Sequence, residues 1–316
     1  MAVYTQVSTE ELEALLARYA VGTLMSAKGI AEGVENSNYL IETSTGRFIL
    51  TLYEKRVEAG DLPFFLALLD HLADRGALVP RALRDVAGNQ IQIVAGRPAC
   101  LIEFLNGVSV THPGPAHARA TGAALGAMHA ALADFTGTRP NSLGLAGWRA
   151  LAARCGDALD RIAPGLGARV EAELGFLETH WPTKLPTSVI HADLFPDNVL
   201  MLGEAVSGII DFYFACTEIR AWDLAVTHAA WCFEAEGARF RPDLGAALVE
   251  GYGQSFGLSA EERAAFPVLA RGACLRFLLT RAWDWLNTPP SALVTRKDPL
   301  GFLHRLDAYT AGTAAI

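Results

Sequence analysis

No stretch of this chain approaches the ~18 consecutive apolar residues that a membrane-spanning helix needs. Its richest window, 274–286 (CLRFLLTRAWDWL), is interrupted by Arg and Asp. The mean hydropathy of +0.24 therefore describes a buried core. Cysteine is sparse: five residues, at positions 100, 155, 216, 232 and 274, with no C-x-x-C pair. That pattern suggests neither a disulfide framework nor a zinc site, and suits small core residues in a reducing cytoplasm. Charge is low as well, at 19% against roughly 25% in an ordinary soluble domain. The deficit is on the basic side, 26 Lys+Arg against 34 Asp+Glu for a net −8, so the basic face that nucleic acid requires is not expected. The N-terminus lacks the basic and apolar regions of a signal peptide, and cytoplasmic residence is the expectation. No G-x-x-x-x-G-K-[ST] motif occurs, which excludes a Walker-A nucleotide site. Fixed-period repeats and low-complexity linkers are missing too.

What is present is a long, well-punctuated chain. Its 316 residues suggest two domains or one large one, with ample core. Ser8 and Glu11 have capping-box spacing ahead of Leu12, Leu15, Leu16 and Tyr19, and Gly22 stands past the end, predicting a first helix. Strand patterns follow at 38–43 and 47–53, joined by a Ser-Thr-Gly turn, then a helix over 62–75 with Pro63 in its first turn and Gly76 after it. Two more strands, 90–94 and 98–105, complete an α+β unit on a mostly antiparallel sheet. Helical patterns dominate from 115: 115–133, 147–162, 167–180, 220–235, 242–256, 260–286 with internal breaks, and 299–310. One strand-rich island interrupts them at 187–212. The boundary falls at Asn106-Gly107, dividing the chain into 1–105 and 106–316, a hinged pair.

The island carries the chemistry. A short apolar strand leads into His191-Ala-Asp193, and Asn198 follows Asp193 by five positions. An apolar strand, a Gly-Glu-Ala turn and a second strand then end on Asp211. A hairpin returns the chain to its start, so Asp193, Asn198 and Asp211 are expected at one end of it. Asp-Asn turns between strands are common as plain turns. Three such groups bracketed by apolar strands, however, supply what phosphoryl transfer needs: a carboxylate for the attacking hydroxyl and oxygen ligands for Mg2+ on nucleotide phosphates.

The pattern His191-Ala-Asp193-x-x-x-x-Asn198 followed by Ile-Ile-Asp211-Phe resembles the catalytic core of the aminoglycoside phosphotransferase/choline kinase-like kinases. The resemblance spans nearly the whole chain. It implies an α+β, bilobed protein-kinase-like fold: a small antiparallel-sheet N-lobe (1–105) that binds nucleotide, and a mostly helical C-lobe (106–316) that carries catalysis and the acceptor. ATP and Mg2+ are the implied cofactors. The stretches Gly29-Ile-Ala-Glu-Gly33-Val-Glu35-Asn36-Ser37-Asn38-Tyr39, 49–54, Asp61-Leu-Pro-Phe-Phe65 and Arg276-Phe-Leu-Leu-Thr-Arg281-x-x-Asp284 most resemble the branch that phosphorylates L-homoserine in threonine biosynthesis. The small-molecule acceptor implied is thus L-homoserine, and the product O-phospho-L-homoserine.

Carried over by position, Asp193 would accept or orient the substrate hydroxyl proton, with His191 buttressing the catalytic loop. Asn198 and Asp211 would hold Mg2+. Asp223 would brace the loop, a role compatible with an acidic residue at a helix N-terminus. Gly29, Gly33 and Asn36 lie in the segment 27–38, where a phosphate-covering loop belongs, although Gly29 and Gly33 are spaced G-x-x-x-G. Glu103 and Leu105 mark the crossing whose backbone would meet adenine. The third-strand Lys of a protein kinase falls near Thr51, and its Glu partner near Phe65, so that ion pair is missing. Lys28, Arg47 and Lys55 are the candidate phosphate cations, each more readily read as a surface charge. A zwitterionic acceptor wants a cation for its carboxylate. Arg276, Arg281 and Asp284 share one helical stretch and are the candidates, with an intrahelical salt bridge as the plain alternative. His129 reads as a satisfied core histidine.

Rival readings concern both the acceptor and the class. Choline or an aminoglycoside could replace homoserine, since fold does not fix the acceptor. A non-catalytic nucleotide-binding module is disfavoured by the intact Asp193, Asn198 and Asp211. Gly253-Gln-Ser255-Phe-Gly257, with Asp284 and His304 downstream, matches a serine hydrolase order, but 242–252 reads as a helix where a strand is required.

Overall fold

The computed structural model describes residues 4–30, 36–54, 58–234, 237, 239–288 and 296–316. Two compact units emerge: residues up to Gly107 together with Ser207–Tyr213, and Val108–Val206 together with Phe214–Ile316.

The first unit begins with helix α1 (Thr9–Leu16), whose capping box forms as its spacing predicts. The Glu11 N–H donates to Ser8 Oγ at 3.2 Å, and Glu11 Oε2 accepts the Ser8 N–H at 2.9 Å. Strands β1 (Leu24–Gly29), β2 (Ser37–Thr43), β3 (Arg47–Leu52), β4 (Gln92–Val94) and β5 (Arg97–Glu103) form one antiparallel sheet in the order β1-β2-β3-β5-β4. Period-2 alternation in β2 turns Tyr39 and Ile41 inward, where they join Leu12, Leu15, Leu16, Leu50 and Leu101. Gly22 is required at the bend before β1: its φ is +77°, and a Cβ there would sit 2.2 Å from Ser44 Oγ. Helix α2 (Leu62–Asp74) starts with Pro63 in its first turn and buries Leu62, Phe65, Leu66, Leu68, Leu69 and Leu72.

In the second unit, α3 (Pro115–Ala131), α4 (Leu145–Cys155) and α5 (Leu166–His180) precede β6 (Thr187–Ile190) and β7 (Val199–Leu202). Strand β7 pairs with β8 (Ala205–Ile209) as a two-stranded sheet, the expected hairpin. Then come β9 (Cys216–Ile219), α6 (Arg220–Trp231), α7 (Pro242–Ser255), α8 (Ala260–Asn287) and α9 (Leu300–Thr310). Helix α3 approaches α7 through glycines: a Cβ on Gly122 would lie 2.0 Å from the Leu248 carbonyl, and one on Gly251 2.0 Å from that of Arg119.

Several boundaries differ from expectation. The predicted helix 147–162 stops at Cys155, because Gly156 takes φ +49° and the chain continues as a 3-10 turn to Arg161. The predicted 220–235 helix ends at Trp231. Helix α8 runs unbroken for 28 residues with Pro267 inside it, against the breaks expected. Strand β9 has no pattern of its own; it exists by antiparallel pairing with β6, Ser188 opposite Glu218.

Candidate active site

The turn between β6 and β7 is fastened on almost every side. Leaving β6 at Ile190, the chain passes through His191 and Ala192, the latter left-handed at φ +64°. A non-glycine residue holds that conformation only where its surroundings over-determine it. Asp223, fully buried in the first turn of α6, accepts the backbone N–H groups of His191 at 2.7 Å and Ala192 at 2.8 Å. Its Oδ2 also lies 3.1 Å from His129 Nε2. Burial pushes the Asp223 carboxyl up, but the hydrogen bond and field of His129, with those of His191, outweigh it and hold the group below the usual carboxylate range.

The remaining loop groups are gripped in turn. His191, sealed from solvent, accepts the Asp193 N–H on Nδ1 at 3.2 Å. Arg276 of α8 donates to the Ala192 carbonyl, and Trp231 Nε1 donates to the Leu194 carbonyl at 2.9 Å. Asn198 donates from Nδ2 to the Asp193 carbonyl at 2.8 Å and to its Oδ2 at 3.2 Å. With the amide nitrogen so committed, Oδ1 is the Asn198 atom suited to a cation. The Asp193 side chain retains 18% exposure, against 2% for Arg276 beside it, so the loop delivers a carboxylate to solvent from a buried scaffold. Asp197, one residue before Asn198, is exposed and pairs with Lys297 at 3.0 Å.

The structure brings together Asp193, His191, Asn198 and Asp223 through hydrogen bonds. The acceptor candidates of α8 part ways. Arg276 is turned into the loop, while Arg281 donates to the Asp298 carbonyl at 3.3 Å and lies over the Phe302 ring at 4.5 Å. Burial, reinforced by the neighbouring Arg305 charge, lowers the Arg281 guanidinium to about 10. Asp284 lies a turn from the end of α8, where its carbonyl accepts the Thr288 N–H at 2.9 Å. His129 is the buried histidine expected, and its Nδ1 is 2.9 Å from the Tyr252 hydroxyl. Trp231 and Tyr252 were not singled out from the sequence, because nothing local marks an aromatic hydrogen-bonding partner many residues away.

In the first unit, Asp211 follows β8 as an exposed residue at φ +67°. Gly29 closes β1 opposite Tyr39. Asn36 is buried and accepts the Glu54 N–H at 3.4 Å. Gly33 and Lys55 lie outside the described residues. Glu103 ends β5 and accepts the Arg81 N–H at 3.0 Å, with half-buried Leu105 just beyond. Arg47 donates to Asn106 Oδ1 at 3.0 Å and lies over the Phe104 ring at 4.4 Å, while Lys28 is exposed on β1. Thr51 is buried and donates to Asn38 Oδ1 at 2.7 Å. Phe65 meets Tyr213 edge-on at 5.7 Å, and Tyr213 meets Tyr53 at 5.4 Å with their hydroxyls 3.3 Å apart. An aromatic cluster thus surrounds Phe65, and burial pushes both phenols up.

No group of three or more His, Cys, Asp or Glu side chains suited to a metal occurs among the described residues. All five cysteines are free and buried. Ser255 is the last residue of helix α7, so it has no strand-borne nucleophile elbow and the hydrolase reading fails. Among the described residues no helix is long and apolar enough to cross a membrane.

Residues 26–266 match the phosphotransferase enzyme family, and the chain belongs to that family. Similarity extends over the full length of particular members. The homoserine kinase of Zymomonas mobilis is 58% identical over 311 residues, covering 98% of this chain and 97% of that protein. The homoserine kinase of Methylobacterium radiotolerans is 54% identical over 306 residues, covering 97% and 95%. Among solved structures, a spectinomycin phosphotransferase in complex with ADP and spectinomycin superimposes with a TM-score of 0.71 at 14% identity, covering 98% of this chain and 99% of that one. The α+β protein-kinase-like fold expected from the motifs is therefore the fold of this protein.

Proposed function

We propose that this protein is a homoserine kinase, transferring the γ-phosphoryl group of Mg-ATP to the hydroxyl of L-homoserine to give O-phospho-L-homoserine for threonine biosynthesis. The observation that carries the reading is identity of 58% to a homoserine kinase across 98% of this chain, and the fastened Asp193 loop fits the chemistry. Asp193 accepts or orients the hydroxyl proton, a task for a carboxylate that reaches solvent from a rigid base. His191 and Asp223 hold its backbone in place. Catalysis is then positioning and electrostatics, with no phosphoenzyme.

The residues fit a hard, oxygen-preferring cation. Asn198 has its amide nitrogen tied to the loop, leaving a carbonyl oxygen, and the sequence pattern assigns Asp211 as the second ligand. Mg2+ is held by few protein oxygens and keeps several waters. When bound it neutralises charge on the phosphates. Gly29, Gly33, Asn36 and the backbone from Glu103 to Leu105 are assigned to the nucleotide, and Arg281 and Asp284 to the amino-acid end of the acceptor. A cytoplasmic location accords with this biosynthetic role.

The test is an acceptor screen with purified protein, following ADP release with ATP and Mg2+. L-homoserine should be phosphorylated with kcat/KM at least about 100-fold above choline or spectinomycin, a difference of about 2.7 kcal/mol in transition-state binding. Turnover of choline or spectinomycin in its place would move the assignment within the family, and no transfer to any acceptor would overturn it.

A further inference from the structure

Ala192 is held from two directions by buried groups of opposite charge. Its N–H is taken by Asp223 at 2.8 Å, and its carbonyl by Arg276. Between these grips its backbone stands at φ +64°, a conformation that costs a residue with a side chain free energy unless the surroundings enforce it. Arg276 is 2% exposed and comes from the middle of α8. Its Nη2 lies 4.0 Å from Asp193 Oδ1. Phe277, Phe214 and Trp222 enclose the guanidinium, with ring centroids 4.4, 5.1 and 5.7 Å from Cζ. A guanidinium that grips a substrate carboxylate offers two parallel N–H donors to it. Here one edge is spent on a backbone carbonyl, and the aromatic rings wall the group in.

We propose that Arg276 is a positioning residue of the catalytic loop and not the clamp for the acceptor carboxylate, the role its place in the sequence suggested. It fastens the Ala192 carbonyl opposite Asp223, so the left-handed turn that aims Asp193 is held by an anion on its N–H side and a cation on its C=O side. It also places a positive charge beside Asp193 without contacting substrate. The kinetic part of this inference rests on the homoserine kinase reading; the structural part does not.

Two full-length variants test it, Arg276→Lys, which keeps the charge, and Arg276→Met, which keeps only the apolar stem. Three quantities are read: kcat and KM, the homoserine dissociation constant by calorimetry, and hydrogen exchange of the peptide spanning 189–196. In Arg276→Met, kcat should fall about 100-fold, the size of loss a misplaced catalytic group produces. KM and the dissociation constant should stay within about threefold, and the loop amides should exchange at least about tenfold faster. Arg276→Lys should recover part of both losses. If Arg276→Met does not fold, Arg276→Lys alone carries the comparison. Homoserine affinity weakened about 30-fold with loop protection unchanged would restore the clamp and overturn the proposal, as would kcat and exchange both unchanged. Failure of the native protein to phosphorylate homoserine would sink the functional reading, and the exchange measurement would still decide the role of Arg276.

Discussion

His129 Nε2 lies 3.1 Å from Asp223 Oδ2, and both side chains are fully sealed from solvent. Through this contact helix α3 is tied to α6, and through Asp223 to the backbone of His191 and Ala192. Replacing Asp223 by Ala leaves three buried donors facing a void, each a penalty of about 1–3 kcal/mol before relaxation. Asp223→Ala should therefore lose about 3–5 kcal/mol in urea unfolding, in line with breaking a buried charged network. Its kcat should drop with it. A loss below about 1 kcal/mol would mean that the loop holds its shape without the carboxylate.

A second buried histidine sets a pH dependence. His228 packs among Phe240, Phe266 and Tyr309, and burial drives its pKa down to about 3. Unfolded, the ring titrates near 6.5. The folded state thus binds fewer protons between the two values, and stability is complete above pH 6.5 and declines as pH falls towards 3. From pH 7 to pH 5 the native protein should lose up to about 2 kcal/mol more than His228→Gln. Parallel slopes for the two proteins in denaturant titrations at both pH values would contradict this.

Two glycine substitutions should act in opposite directions. A Cβ on Gly122 would lie 2.0 Å from the Leu248 carbonyl oxygen, whereas one on Gly175, inside α5, meets nothing within 4 Å. Gly122→Ala forces α3 and α7 apart and should cost about 1–3 kcal/mol or more. Gly175→Ala should add about 0.4–1 kcal/mol by restricting the unfolded chain. Calorimetric melting of the two variants checks both signs at once.

How much of this was legible depends on distance along the chain. The α1 capping box, the Arg47–Leu52 strand and the His191–Asn198 spacing are local, and each appears where the pattern predicts it. What fastens the loop is remote: His129 is 94 residues from Asp223, Arg276 is 84 from Ala192, and Trp231 is 37 from Leu194. No periodicity encodes such pairings. An arginine on such a helical stretch reads equally as substrate clamp or intrahelical salt-bridge partner until its carbonyl partner is known. Likewise Thr51 and Phe65 show in the sequence only that these two positions carry neither Lys nor Glu. That Tyr53 and Tyr213 join Phe65 there depends on residues 207–213 rejoining the first unit, where the Ile209 N–H donates to the Leu78 carbonyl at 2.7 Å.

Replacement of Asp193 by Asn preserves volume but removes the carboxylate proposed to accept the hydroxyl proton. The kcat for homoserine should fall by about 10²–10⁴, the range for general-base removal, with both KM values within a few fold. Melting should stay near that of the native protein, because the side chain is partly exposed and the loop is held by other groups. Steady-state kinetics with native-like melting would establish the role, and retained turnover would remove it.

Asp211 allows a cleaner metal test than most carboxylates, because its φ of +67° is one that Asn also tolerates while most residues do not. Asp211→Asn should therefore keep the backbone and lose only the charge. On the proposed assignment of Asp211 to Mg2+, the Mg2+ concentration for half-maximal activity should rise at least about tenfold, since hard cations depend on ligand charge. Asp211→Ala would confound that reading by straining the turn, so the asparagine variant is the informative one. Titrating Mg2+ at fixed ATP measures the shift directly. If the half-maximal Mg2+ concentration matched the native value, the carboxylate would be a turn residue and the metal would be held elsewhere.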